Sequence, residues 1–207
     1  MPIRNLIFDL GGVILDIDIS KTQKAFEDLG LTQIKDLFGL GKAASFFKDH
    51  EQGRITDEQF VQEVKNLVKE PLEDDMIIGA WNKMLLEFPK ERIEFLQRLK
   101  KKYRLFLFSN TNGIHLKAFQ QLYHSGFNGG ILDDLFEKAY YSHLMGLRKP
   151  DRKSFDYIIK ENDLIPSDTL FVDDAMVNLD GAKEAGLQTF LIKPGTTILD
   201  IPILDEV

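Results

Sequence analysis

The chain has 207 residues, with 26 Lys and Arg against 33 Asp and Glu, and carries a net charge of −7 at neutral pH. That balance excludes broad nucleic-acid or anionic-membrane binding as an expected role, since both recruit Lys and Arg patches, yet it leaves room for a small phosphorylated ligand whose cation reverses the local sign. There is no Cys, so disulfides and thiolate chemistry are excluded and a cytoplasmic location is expected.

The first element is the apolar run Leu6-Ile7-Phe8, closed by Asp9 and followed by Leu10-Gly11-Gly12-Val13-Ile14-Leu15. It reads as a buried strand ending in one carboxylate, with glycines where the backbone turns sharply or approaches a neighbour. Ligands of open α/β sheets bind outside the carboxyl ends of strands, so Asp9 is placed either for chemistry or for capping a turn. Asp9 interrupts the run and only Arg4 precedes it, which fits neither a signal peptide nor a membrane span. A helix capped by Ser20 or a neighbour is expected through Phe26 and Leu29 to Gly30. Residues 32 to 38 and 42 to 49 are short helix candidates. Gly39-Leu40-Gly41-Lys42-Ala43-Ala44 imitates a dinucleotide fingerprint, but no strand precedes it. Thr56-Asp57-Glu58-Gln59 forms a capping box for a helix to about Lys69. Pro71 opens another, with Met76, Ile77, Ala80, Trp81, Met84 and Leu85 as its buried stripe. Residues 18 to 87 are therefore expected to be helical.

From Pro89 the pattern alternates. A helix at 91 to 102 leads into the apolar strand Arg104 to Ser109, a helix follows at 113 to 124, then a strand at Lys138 to Ser142 and a helix at Asp151 to Asn162. The strand Thr169 to Asp173, a helix at 176 to 185 and the strand Gln188 to Ile192 complete it, with the tail residues Ile198, Leu199, Ile201 and Leu204 packing on the core. Such alternation implies a parallel sheet with right-handed crossovers, interrupted by a helical insertion after the first strand.

Three strands end in polar residues: Asp9, then Ser109-Asn110-Thr111-Asn112, then Asp173-Asp174. As parallel neighbours they would converge at one sheet edge, where three carboxylates call for a hard divalent cation such as Mg²⁺. Asp173-Asp174 also fits an N-cap pair for the helix that follows. Lys149, held before Pro150 and Asp151 at a helix entry, can reach a phosphate or a carboxylate there, or can be an ordinary solvated lysine.

These residues together resemble the haloacid dehalogenase superfamily of hydrolases. The resemblance rests on Phe8-Asp9-Leu10-Gly11-Gly12-Val13, Phe108-Ser109-Asn110, Arg148-Lys149-Pro150-Asp151 and Phe171-Val172-Asp173-Asp174, with Asn178, Gly181, Ala182 and Gly186 downstream, in order and over nearly the whole chain. Asp-Leu-Gly-x-Val with Ser109 to Asn112 and His115 is similar to bacterial phosphatases of sugar 1-phosphates such as α-D-glucose 1-phosphate. The resemblance implies a doubly wound, mostly parallel Rossmann-like α/β core at 1–17 and 88–207 and a helical cap at 18–87 that closes over the site. It implies Asp9 as nucleophile through an aspartyl-phosphate, Ser109 and the Asn110 amide on phosphoryl oxygens, and Lys149 neutralising their charge. Mg²⁺ would be held by Asp9, the Gly11 carbonyl and Asp174, with Asp173 close by, and the partner would be a small phosphorylated metabolite.

One position departs from the pattern. Most phosphatases of the superfamily carry a second Asp two residues after the nucleophile as general acid, a contribution of about 10²–10⁴-fold, and this chain has Gly11. A sugar 1-phosphate, whose anomeric leaving group needs little protonation, would fit that loss. The alternatives are a degenerate member that binds a phosphorylated ligand or partner without turnover, and a metal-independent haloacid dehalogenase, which Asp173-Asp174 argues against. Substitute groups could come from His50 and Glu51 of the cap or from His115. Each reads equally as an ordinary structural residue, while Trp81, Phe46 and Phe47 are expected to pack the cap.

Overall fold

The computed structural model describes residues 2–31 and 45–204. Among them, five strands form one all-parallel sheet: β1 (Asn5–Phe8), β2 (Arg104–Ser109), β3 (Lys138–Tyr141), β4 (Thr169–Asp173) and β5 (Gln188–Leu191), in the order β3-β2-β1-β4-β5. The apolar runs alternate between two cores, as period-2 geometry requires. Leu6, Phe8, Leu105, Leu107, Leu170 and Val172 face one layer, with Ile93, Leu96 and Leu99 of α5 (Lys90–Leu99) and Phe119 and Tyr123 of α6 (Gly113–Gly126). Ile7, Phe106, Phe108 and Phe171 face the other, with Phe155 and Ile158 of α8 (Arg152–Glu161) and Leu179 and Ala182 of α9 (Met176–Glu184). Helices on both faces make the sheet doubly wound, and each fully buried side chain of this size stabilises it by roughly 1.5–3 kcal/mol. In the tail, Ile198, Ile201 and Leu204 are buried in the first layer as expected, whereas Leu199 is exposed.

Between β1 and β2 lie α1 (Ile19–Asp28), α2 (Ser45–Glu51), α3 (Asp57–Lys65) and α4 (Asp74–Asn82). Asp18, rather than Ser20, caps α1 by accepting from the Ser20 amide. Thr56 and Gln59 make the reciprocal capping box of α3, which ends at Lys65, short of Lys69. The fourth helix starts at Asp74 rather than Pro71, with Asp74 and Asp75 in the first turn where the helix dipole favours anions. That start leaves Met76 exposed and Leu85 beyond the helix end, while Ile77, Ala80, Trp81 and Met84 are buried with Phe26, Phe46, Phe47 and Phe60 in a separate core. The helix expected over 32 to 38, the first part of the one over 42 to 49 and the glycine run at 39 to 44 lie outside the described residues. Two linkers join this helical layer to the sheet. They pair at Ile17 and Leu85, with Asp16 N donating to Glu87 O and Leu86 N to Asp16 O.

Candidate active site

β1 is the central strand, and its register sets the site. Phe8 pairs with both Leu107 and Val172, and the Asp9 amide donates to Val172 O at 2.9 Å, so Asp9 lies level with Asp173 and one residue short of Ser109. The loop between α7 (Ser142–Met145) and α8 adds Lys149, whose Nζ stands 2.6 Å from Asp9 Oδ1 and 2.8 Å from Asp173 Oδ2. The Lys149 side chain is 1% exposed and lies over the rings of Phe108 and Phe171. Burial on its own would depress an ammonium, but Asp9 and Asp173 outweigh it and hold Lys149 above its ordinary value. Lys149 is thus no solvated surface lysine.

Asp173 is fully buried and its oxygens are committed: Oδ1 accepts from the Ala175 amide at 2.8 Å and from Asn178 Nδ2 at 3.0 Å, and Oδ2 accepts from Lys149. It braces the turn before α9 through the Ala175 amide and aims Lys149 at the same time, but the N-cap position is Ala175 and no side chain caps the helix, so the N-cap pair does not form. Asp174 is exposed at the mouth, and its carboxylate, with those of Asp9 and Asp173, offers ligand atoms within 4.8 Å of one another. Asp9 and Asp173 share the Lys149 ammonium, with Asp174 beside them. Burial, then Asp173, pushes Asp9 up to about 7 against the pull of Lys149. An all-oxygen set with excess negative charge suits a hard divalent cation. The backbone is shaped for it too. Gly12 has φ +78°, and a Cβ there would come 2.3 Å from Asp174 Oδ2. Gly12→Ala is expected to displace Asp174 and weaken Mg²⁺ binding by about 10–100-fold, as read by calorimetric titration.

The Lys149 loop is held from two sides. The Asn110 side chain spans its backbone, Nδ2 donating to Lys149 O at 3.0 Å and Oδ1 accepting from Lys149 N at 2.9 Å. Gly181 of α9 packs so closely that a Cβ would strike Pro150 O at 2.0 Å, and the Lys149–Pro150 peptide is cis. Asp151 caps α8 through the Lys153 amide, as its position suggested. Ser109 is buried at the end of β2.

Of the three candidates to replace an acid at position 11, the structure takes two elsewhere. His115 is buried, its ring stacked on Trp81 and its Nε2 3.1 Å from Trp81 O; burial depresses it to about 4. His50 stacks on Phe60 and meets Asp57 Oδ1 at 2.8 Å, and Asp57 in turn binds Lys117 of α6. His115 fastens α6 to Trp81 of the helical layer, whereas His50 sits within that layer beside Asp57, and Trp81, Phe46 and Phe47 pack its core. Glu51 differs. Its Oε2 is 2.9 Å from Arg148 Nη2, and its carbonyl accepts from Ser142 Oγ at 2.6 Å. That hydroxyl also accepts from the Thr111 amide, so Glu51 is anchored to both loops that carry Ser109 and Lys149. The contributions of Ser142 and Arg148 and the Asn110 clamp had no local signal, although Arg148 neighbours Lys149 in sequence.

A cavity of about 390 Å³ opens beside Gly12 and Asp174, lined also by Asp16, Arg92, Lys193 and Thr196. A larger groove, about 1030 Å³, runs along α5 and the end of α6 and includes none of Asp9, Asp173 and Asp174.

Residues 3–186 match the haloacid dehalogenase-like hydrolase model. A D-ribitol-5-phosphate phosphatase of Bacteroides thetaiotaomicron is 34% identical over 189 residues, covering 91% of either chain. The HAD family enzyme bt-2542 of that organism, solved as a magnesium complex, superposes with a TM-score of 0.90 at 30% identity over 100% of both chains. Its complex with magnesium and inorganic phosphate gives a TM-score of 0.87 at 31% identity, covering 95% of this chain and 97% of the other. The family model spans nearly the whole chain and the ribitol-phosphate phosphatase matches it over nine-tenths of its length: this chain belongs to the haloacid dehalogenase-like hydrolase family.

Proposed function

We propose that this protein is a Mg²⁺-dependent phosphatase that hydrolyses a small phosphate monoester of a sugar or polyol by way of an aspartyl-phosphate on Asp9. The observation that carries the reading is the buried Lys149 ammonium, 2.6 Å from Asp9 and 2.8 Å from Asp173, with Asp174 completing a carboxylate cluster at the mouth. Asp9, the Gly11 carbonyl and Asp174 would hold Mg²⁺, with Asp173 behind them. The bound cation supplies charge that lets an anionic nucleophile meet an anionic substrate. Asp9 attacks phosphorus in line, and the alcohol oxygen departs. Ser109 Oγ and the Asn110 amide hold phosphoryl oxygens, while Lys149 stabilises the charge that grows on them. The Asn110 side chain and Asp173 keep that ammonium aimed at the nucleophile. Water then releases phosphate and restores Asp9, so one hard displacement becomes two easier ones.

Residues 18–87 act as the cap and 1–17 with 88–207 as the core, hinged where Ile17 pairs with Leu85. The absence of Cys supports a cytoplasmic setting. Among the described residues no helix is long and apolar enough to cross a membrane. Gly11 favours a sugar 1-phosphate, whose leaving group is relatively acidic; the ribitol-phosphate phosphatase among the relatives favours a polyol phosphate. A panel of phosphate monoesters with Mg²⁺ separates the two. Chelation with EDTA is expected to abolish turnover and added Mg²⁺ to restore it. Activity that survives complete chelation overturns the metal-dependent reading, and no turnover on any monoester overturns the phosphatase.

A further inference from the structure

Resting on the phosphatase reading, we infer that Glu51 of the cap is the general acid and base that replaces the carboxylate missing at Gly11. Three observations point to it. First, position 11 carries no side chain, and Ile17 Cδ1 stands 3.3 Å from where a Gly11 Cβ would sit, so the packing there is built around the missing side chain. Second, His50 and His115 are committed to Asp57 and to the Trp81 carbonyl. Third, Glu51 is carried to the Lys149 loop by two anchors, Ser142 Oγ on its carbonyl and Arg148 on its carboxyl group. The guanidinium that holds it has a buried Nε with no hydrogen-bond partner. A buried donor left unmade costs about 1–3 kcal/mol, and an incoming alcohol or phosphoryl oxygen would satisfy it.

The charged groups facing Glu51 are Arg148 and Lys149 from the loop before α8 and Lys48 from its own helix. Burial raises the carboxyl group above its ordinary value, and those three cations pull it back only in part. That is the direction a proton donor needs. In the first step an Asp9 oxygen bonds to phosphorus, the bond from phosphorus to the alcohol oxygen breaks with its electron pair on that oxygen, and the Glu51 carboxyl proton passes to it. In the second, a water oxygen bonds to phosphorus as its proton passes to the Glu51 carboxylate, the bond to Asp9 breaks, and inorganic phosphate leaves with both carboxyl groups restored. A donor of this kind lets an ordinary alcohol depart, which widens the substrate class from sugar 1-phosphates to phosphates of primary alcohols, polyols included.

The test compares Glu51→Gln with the parent enzyme on two leaving groups. On the best alkyl phosphate of the panel kcat/KM is expected to fall by about 10²-fold or more. On p-nitrophenyl phosphate, whose phenolate leaves without a proton, the loss should be at least ~10-fold smaller. The fall of kcat/KM at high pH, where a general acid has lost its proton, should disappear in Glu51→Gln and persist, shifted, in Glu51→Asp. Equal losses on both substrates would make Glu51 a structural latch, and no loss on either would remove it from the reaction; both overturn the inference. Failure of the parent enzyme on both substrates would instead bring down the phosphatase reading itself, and the inference with it.

Discussion

Asp9→Asn is expected to cut turnover by about 10⁴-fold or more, because the amide oxygen is a poor nucleophile and the covalent intermediate is lost. Beryllofluoride, which forms an adduct with a nucleophilic aspartate, should no longer protect the variant. Normal phosphatase activity in Asp9→Asn would show that the nucleophile lies elsewhere. Stability should move the other way. Asp9 is buried beside Asp173 and held at about 7 against an ordinary 3.8. A folded-state value above the unfolded one means that the folded protein binds more protons between those two pH values, so metal-free stability falls as pH rises from about 4 to 7. Asn carries no such charge. Without metal the variant should melt at or above the parent temperature, and the decline across that window should flatten.

Lys149→Ala is expected to damage both function and fold. The ammonium is the cation between Asp9 and Asp173, and with it gone two buried carboxylates face each other. Breaking a buried pair by removing one partner costs about 3–5 kcal/mol, a large share of the stability of a domain. Turnover should drop by about 10²–10³-fold, as for loss of a preorganised electrostatic donor. Lys149→Met separates the causes, since it fills the volume against Phe108 and Phe171 without the charge. If charge is what matters, denaturant midpoints of both variants fall together in metal-free buffer, and Mg²⁺ recovers part of the loss by replacing the missing cation. A metal-free Lys149→Met as stable as the parent would show that the pairing contributes little.

Both effects trace to residues with plain local signals. An apolar run that stops at a polar residue marks a strand end whatever surrounds it, so Asp9, Ser109 and Asp173 could be placed from the chain alone, and a parallel sheet then brings strand ends to one edge. Boundaries were less legible where a helix start depends on competing caps. Pro71 is a good opening residue, yet the acidic pair Asp74-Asp75 at the dipole took the first turn, and Met76 was left on the outside.

The roles of the polar residues around Lys149 divide the same way. Asp151 caps a helix two residues on, a local bond that sequence spacing reveals. The resemblance assigns the Asn110 amide to phosphate, and what the sequence does not show is that its side chain clamps the backbone 39 positions away. His115 looked available and is instead buried against Trp81, 34 positions distant. Ser142 joins Thr111 to Glu51 across 31 and 91 positions. The pattern of apolar and polar residues determined that an α/β sheet would gather Asp9, Ser109 and Asp173 with a helical layer inserted after β1, because strand and helix periodicity are local. Folding alone decided which side chains clamp, which fasten the helical layer and which of its carboxylates reaches Arg148, because hydrogen bonds between distant residues have no period for a sequence to display.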